Sequence, residues 1–402
     1  MTSTGSTSTV RPTVLRDFPT VIVYVQVAIF GWYVYSFGPS IALLRDEQGT
    51  TRTVASLHST AAAIGAIVAG LIVAAVVRRI GRGPMLRSAS VVLAAGLIIY
   101  ISSTALPLTL LGAFVASLGG TSLLSGANAF IPDHQGPATP QAMSEAHGFA
   151  SLTGLLGPLA VGAGVWVGWG WRPAIIAACV AVLILEIVRG RNLELYDGTH
   201  GHPDSQPGHA PHGPMPRRYW FTFFTIFAII GTEFSLTLWG TDLLRDRASL
   251  GDAAAAASIA TIVGGMALGR LVGSRLVAHI DPERVLIATL GLTLVGFAIA
   301  WFSGAAVPML IGFAVTGTGM GLQVPLSIGR SVRASRGRVD RAAALASVAI
   351  GAASGTAPFL LGAVADHLGV HTAFMVVPVL IVAAMVLVWI DPVPLVVDDD
   401  SA

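Results

Sequence analysis

The chain of 402 residues contains no lysine; all 23 of its basic residues are arginine. Without lysine no phosphate loop of the G-x-x-x-x-G-K type exists, so hydrolysis of a nucleotide at such a loop is excluded. Charge is scarce as well. Asp, Glu and Arg make up 11% of the residues, against about 25% in a soluble globular protein. That is too little polar side chain to cover a water-facing surface. One cysteine, Cys179, lies in an apolar run, which excludes a disulfide framework and a thiolate metal cluster. The net charge is only +2, and the arginines are scattered at segment ends. No basic patch is offered to nucleic acid. No nucleophile–base pair or metal constellation suggests an enzyme, and no cofactor is implied.

What the chain has instead is one apolar unit used twice. Leu43-Leu44-Arg45-Asp46 recurs as Leu243-Leu244-Arg245-Asp246, and Leu110-Leu111-Gly112 recurs as Leu310-Ile311-Gly312. Gly157-Pro158 followed by Gly162 recurs as Ala357-Pro358 followed by Gly362. The offset is a constant 200 residues. Duplication of this size, in a chain that is 54% hydrophobic, predicts a membrane transporter.

Windows of ~20 mainly apolar residues predict an all-α membrane protein with twelve transmembrane helices. The first six fall at 20–44, 54–77, 87–104, 108–131, 142–167 and 173–189. The second six fall at 219–244, 253–279, 284–303, 307–329, 342–365 and 371–391. The chain then divides into a tail (1–19), a six-helix bundle (20–189), a His/Gly/Pro-rich linker (190–217), a second six-helix bundle (218–391) and an acidic tail (392–402). The first apolar stretch is too long for the core of a cleaved signal peptide. Seventeen arginines fall on the side that holds the termini and the linker; five fall on the other, and Arg270 falls within a span. That bias places both termini and the linker in the cytoplasm of a plasma-membrane protein. The linker histidines at 200, 202, 209 and 212 lack any element to fix them, so they read as solvated and no metal site is assigned.

Six plus six helices, a repeat across the halves and cytoplasmic termini together resemble the major facilitator superfamily (MFS). The loop between spans two and three adds to this. The superfamily pattern there is G-x-x-x-D-R-x-G-R-R, and Arg79, Gly81 and Arg82 match it, while Ala74 and Arg78 replace the leading Gly and the acid. The resemblance implies two rocking bundles, a cytoplasmic gate involving Arg79, Gly81 and Arg82, and a central cavity lined by helices 1, 4, 7 and 10. Gly170-Trp171-Arg172 is a further shared feature. Glu233, then Trp239, then Gly269-Arg270-Leu271-x-Gly273, is similar to a bacterial branch related to the fucose permeases, which implies proton-coupled movement of a small polar solute. Gly154, Gly157-Pro158 and Gly162 resemble in part the helix-5 motif of drug–proton antiporters.

Glu233 is the leading site residue. An acid at mid-membrane depth is costly and usually faces a cavity where it works, so it is read as the proton-coupling group; the plainer alternative is a structural acid held by a neighbouring helix. Arg270 is the second candidate. Its repeat mate is Gly70, so the duplicated scaffold does not require an arginine there. It is read as gripping substrate or balancing Glu233, with snorkelling to the interface as the alternative. Phe30, Trp32, Tyr33, Tyr35 and Phe37 in span one suit the wall of a solute cavity or ordinary packing, and Tyr35 and Phe37 equally suit an interfacial belt. Trp239 reads as a lid or belt residue. Asn128 and Gln323 are polar where lipid-facing positions are apolar, so they contact substrate or bond across helices. Gly157, Pro158, Gly162, Pro358 and Gly362 read as structural hinges. Glu145 reads as a helix-start carboxylate. The expected partners are a small-molecule substrate, protons and the lipid bilayer, with the chain acting as a monomer. Alternatives to a polar-solute carrier are an organic-anion carrier, a drug–proton antiporter, or a membrane sensor or scaffold.

Overall fold

Residues 13–197, 214–277 and 279–393 are described by the structure, a computed structural model. Most of the linker, its histidines and most of both tails lie outside these residues. Among the described residues every regular element is helical. The first half holds α1 (Phe18–Gln48), α2 (Arg52–Ile80), α3 (Arg82–Ser102), α4 (Leu106–Gln135), α5 (Thr139–Trp166) and α6 (Arg172–Arg189). The second holds α7 (Arg217–Ala248), α8 (Asp252–Val277), α9 (Pro282–Phe302), α10 (Ala306–Met320), α11 (Gln323–Ala334), α12 (Val339–Leu368), α13 (Val370–Ala373) and α14 (Val376–Ile390). Among the described residues ten helical stretches are long and apolar enough to cross a membrane. One of them, residues 106–166, is α4 and α5 joined by a 3-10 turn at Gly136–Ala138.

The helix ends follow from local chemistry. Asp17 accepts from the Thr20 N–H and caps α1, Pro19 sits in its first turn, and Gly49 ends it in the left-handed conformation at φ 61°. Short turns then send the chain back and forth between two faces. We call the face where α1 begins the near face and the opposite one the far face.

Prolines inside helices decide where backbone groups come free. A proline has no N–H and crowds the carbonyl four residues earlier. In the second half Pro325 ends α10 at Met320 and restarts the helix as α11, leaving the Gly321 carbonyl open to a partner. Its repeat mate is Ser125, and α4 runs unbroken through that position. Pro358 leaves α12 continuous but frees the Ser354 carbonyl, and Ser59 Oγ of α2 donates to it at 2.5 Å from the other half.

Lipid tails are as apolar as the helices, so helices associate through close packing and polar ties. The seam between the halves shows both. A side chain at Gly162 on α5 would strike the Ala253 carbonyl and Ala257 of α8; one at its mate Gly362 on α12 would strike Arg52 and Ser56 of α2. The polar ties are concentrated at the far face. Asp242, 1% exposed, pairs with Arg45 and with Arg52 Nε at 2.9 Å. Arg245 pairs with Asp46 of the first half at 2.9 Å and is held within its own half by Asp252 at 2.9 Å. Asp366 accepts from the Arg52 N–H at 3.0 Å and the Thr53 N–H at 2.9 Å, capping α2 from the other half.

The segment expected as linker begins later than 190. Residues 190–197 fold back on α3: Asp197 accepts from the Arg82 N–H at 2.8 Å, Leu193–Tyr196 forms a 3-10 turn, and Tyr196 is fully buried. A Cβ at Gly83 would collide with the Leu193 carbonyl, so glycine lets this strap lie flat.

Candidate functional site

Glu233 lies midway along α7 and is buried, at 9% exposure. Its Oε1 accepts from Tyr35 Oη at 3.1 Å, and Tyr35 belongs to α1 of the other half. The same hydroxyl stands 3.9 Å from Met266 Sδ on α8. The close approach is permitted by Gly38, one turn on from Tyr35, where a side chain would strike the Thr237 carbonyl of α7. Beside this contact is a small cavity of about 20 Å³, lined among others by Tyr35, Gly38, Ser59, Glu233 and Thr237. That space holds about one water molecule. A separate groove of about 630 Å³ between α1 and α5 is lined mainly by apolar side chains, with Arg16 and Glu145 at its rim, and none of the residues around Glu233 lines it.

Arg270 lies one turn beyond Met266 on α8, about 6 Å nearer the near face. Its Nη1 donates to Ser151 Oγ of α5 at 2.5 Å, and its Nε donates to the freed Gly321 carbonyl at 3.2 Å. It therefore points into the seam and does not snorkel to the interface. It forms no ion pair with Glu233 within 4.0 Å; Tyr35 and Met266 lie between them. Among the described residues, no hydrogen bond or ion pair joins the halves nearer the near face than Arg270–Ser151.

The site thus joins two of the expected residues, Glu233 and Arg270, and adds Tyr35, Ser59 and Ser151. For Tyr35 the sequence leaves cavity wall, packing and interfacial belt open; the signal that marks it out is its place one turn before Gly38 and Pro39, where α1 can touch a facing backbone. Four expected contacts lie elsewhere. Trp32 Nε1 donates to the Ala174 carbonyl of α6 at 2.8 Å. Tyr33 is buried in an aromatic row with Phe30 and Phe37, packed over Gly120 of α4. Trp239, fully buried, donates to the Pro358 carbonyl at 3.0 Å and lies beneath the Arg45 guanidinium, so it is neither lid nor belt. Gln323 is 1% exposed and donates to Thr293 of α9 at 2.8 Å, inside its own bundle. A helix has several faces, and these four side chains take the inward-packed ones. Asn128 is half-buried, and its Oδ1 has no partner.

Of the gate residues, Arg82 pairs with Asp133 of its own half and Gly81 ends α2 with φ 87°. Arg79 is exposed at the near face. Gly157 packs α5 against Ser36 and the Trp32 carbonyl of α1, within the first half. α5 and α12 stay helical through Pro158 and Pro358. Glu145 lies in the second turn of α5 and pairs with Arg16 at 2.9 Å, which replaces the helix-start reading. Among the described residues no group of three metal-ligating side chains occurs.

Two helical halves thus meet along a polar seam with a buried acid bonded across it. The chain belongs to the Major Facilitator Superfamily, whose sequence profile matches residues 23–264 and 219–400. A Yersinia pestis protein described as an uncharacterized MFS-type transporter is 29% identical over 185 residues, 46% of each chain, so the match spans about half of that relative. Among solved structures, the E. coli fucose:proton symporter FucP superposes with TM-score 0.64 at 14% identity, covering 93% of this chain and 98% of its own. The xylose transporter XylE from E. coli gives 0.71 at 12%, covering 93% and 97%. A bacterial homolog of the human lysosomal transporter Spinster gives 0.69 at 12%, covering 94% and 96%. At these identities the likeness is one of fold.

Proposed function

We propose that the protein is a proton-coupled secondary transporter that moves a small polar solute across the plasma membrane by alternating access, acting as a monomer. In this reading α4 and α5 are separate spans, α6 is the sixth, and α10–α11 and α13–α14 each make one, giving twelve. The arginine bias supports a cytoplasmic near face. The described ion pairs between the halves then lie on the outside. Labelling a cysteine placed at Ser205 in intact cells with an impermeant reagent tests this orientation, and efficient labelling there would overturn it.

The observation that carries the reading is the Tyr35–Glu233 hydrogen bond across the seam, beside a water-sized cavity. An ionised Glu233 accepts that bond; a protonated one carries a hydrogen of its own and is free to turn to another acceptor. Taking up or losing a proton therefore changes a tie between the halves. This is what coupling requires, since a ligand shifts an equilibrium only by what it does differently to the two states. Two of the solved proteins with this fold are described as fucose:proton and D-xylose–proton symporters, which supports the choice of proton. The cavity offers one carboxylate and a few hydroxyls, fewer oxygens than a metal cation shell takes up. Glu233→Gln fixes the protonated shape. In proteoliposomes it is expected to abolish pH-driven accumulation while leaving exchange intact. Accumulation by the variant at the wild-type level would remove Glu233 from the mechanism.

A further inference from the structure

This inference rests on the alternating-access part of the reading above and concerns how the halves part. Two helix pairs carry the seam, α2 on α12 and α5 on α8, and the duplication makes them counterparts. Each is tightly packed, at Gly362 against Arg52 and Ser56 and at Gly162 against Ala253 and Ala257. Their polar ties differ. Six hydrogen bonds join α2 to α12. The N–H groups of Arg52 and Thr53 and the Thr53 hydroxyl donate to Asp366, and the hydroxyls of Ser56, Ser59 and Thr60 donate to the carbonyls of Pro358, Ser354 and Gly355. Among the described residues, one joins α5 to α8, from Arg270 to Ser151.

The difference is written in the sequence. The repeat mates of Ser56, Ser59 and Thr60 on α8 are Ala256, Ile259 and Ala260, which have no hydroxyl to give. The mate of Asp366 is Trp166, an exposed apolar residue. The charges at the helix starts follow the same division. Arg52 at the start of α2 crosses to Asp242, whereas its mate Asp252 at the start of α8 pairs with Arg245 of its own half. A hydrogen bond across two helices must break before they part. One of the six is harder to replace than the rest. Pro358 has no N–H to offer the Ser354 carbonyl, so Ser59 is its donor, and moving α2 off α12 strands that acceptor. We propose that the far face opens unevenly: α2 stays docked on α12 as the axis of the movement, and the gap forms between α5 and α8.

The test is thiol reactivity at two buried alanines of nearly equal depth. Ala55 of α2 packs in the core of the second half and Ala256 of α8 in the core of the first, and both are fully buried. Ala55→Cys and Ala256→Cys are made separately in a Cys179→Ala background. The full-length protein in detergent, where both faces are open to reagent, is treated with a water-soluble maleimide. Ala256→Cys is expected to react about ten-fold faster than Ala55→Cys. Ser59→Ala with Thr60→Ala should raise the Ala55→Cys rate several-fold and leave the Ala256→Cys rate unchanged. Asp366→Ala, at the exposed end of α12, is a second and milder release with the same expected direction. Equal rates for Ala55→Cys and Ala256→Cys overturn the proposal and leave alternating access standing. So does a faster Ala55→Cys, or a rate there that neither release raises. If neither thiol reacts, even with Asp242→Ala added to loosen the far face, that face does not open, and alternating access falls together with the proposal.

Discussion

The far and near ends of the seam are built from the same duplicated unit, yet their charges do opposite jobs. At the far face the two copies of Leu-Leu-Arg-Asp meet. Arg45 reaches Asp242 and Arg245 reaches Asp46, each crossing to the other half. Among the described residues, the ion pairs at the near face stay within one half. Arg82 pairs with Asp133 in the first half, and Arg333 pairs with Glu283 at 3.3 Å in the second. Asp133 and Arg333 are repeat mates of opposite sign. Duplication therefore supplied both ends with charge, and only the end where mates face each other became a latch. At the other end the charges brace each bundle separately, which leaves the halves free to part there.

The largest test of this contrast is Asp242→Ala. It strips one carboxylate from Arg45 and Arg52 together, and breaking a buried pair in this way costs about 3–5 kcal/mol. Thermal unfolding of the detergent-solubilised protein should fall accordingly, and a loss no greater than that of Arg82→Ala would erase the difference between the two ends. A smaller effect is expected of Ser59→Ala. It removes the donor to the carbonyl that Pro358 frees, and a buried acceptor left alone costs about 1–3 kcal/mol. The same melt measures it, and Thr60→Ala, whose hydroxyl makes a longer 3.1 Å bond to the Gly355 carbonyl, is the comparison that should lose less. Arg82→Ala should cost least, about 0–1 kcal/mol, since its pair with Asp133 is partly exposed. It should leave the far face closed to an impermeant thiol reagent at a cysteine placed at Thr53. Labelling that rises as far as in Asp242→Ala would show that the near-face pair also governs the latch.

Much of the fold was legible because hydrophobic length and turn chemistry are local. The expected spans 20–44 and 219–244 fall inside α1 and α7, and the repeat announced two halves. The site was legible only in part. Glu233 and Arg270 stood out because charge at that depth is rare. Tyr35 did not, because its role depends on which face of α1 meets α7, and that is fixed by Gly38 and the Thr237 carbonyl far along the chain. Gln323 misled for the same reason in reverse: a polar residue on a cavity helix faces Thr293 of its own bundle instead. Pro325 is a readable signal as well, since it determines where α10 breaks and hence which carbonyl steadies Arg270. The doubled Leu-Leu-Arg-Asp was seen as repetition; that the copies touch became visible only once the helices were placed.

The strap at 190–197 carries a practical consequence for dissecting the protein. It belongs by contact to the first half: Arg87 donates to the Gly190 carbonyl, Asp197 caps α3, and Tyr196 packs on Phe130. A polypeptide ending at 189 would uncover the start of α3, whereas one ending just past 197 keeps its own lid. All the far-face ties between the halves are non-covalent. Two separately translated pieces parted after 197 would keep the strap on the first half and every tie between the halves described above.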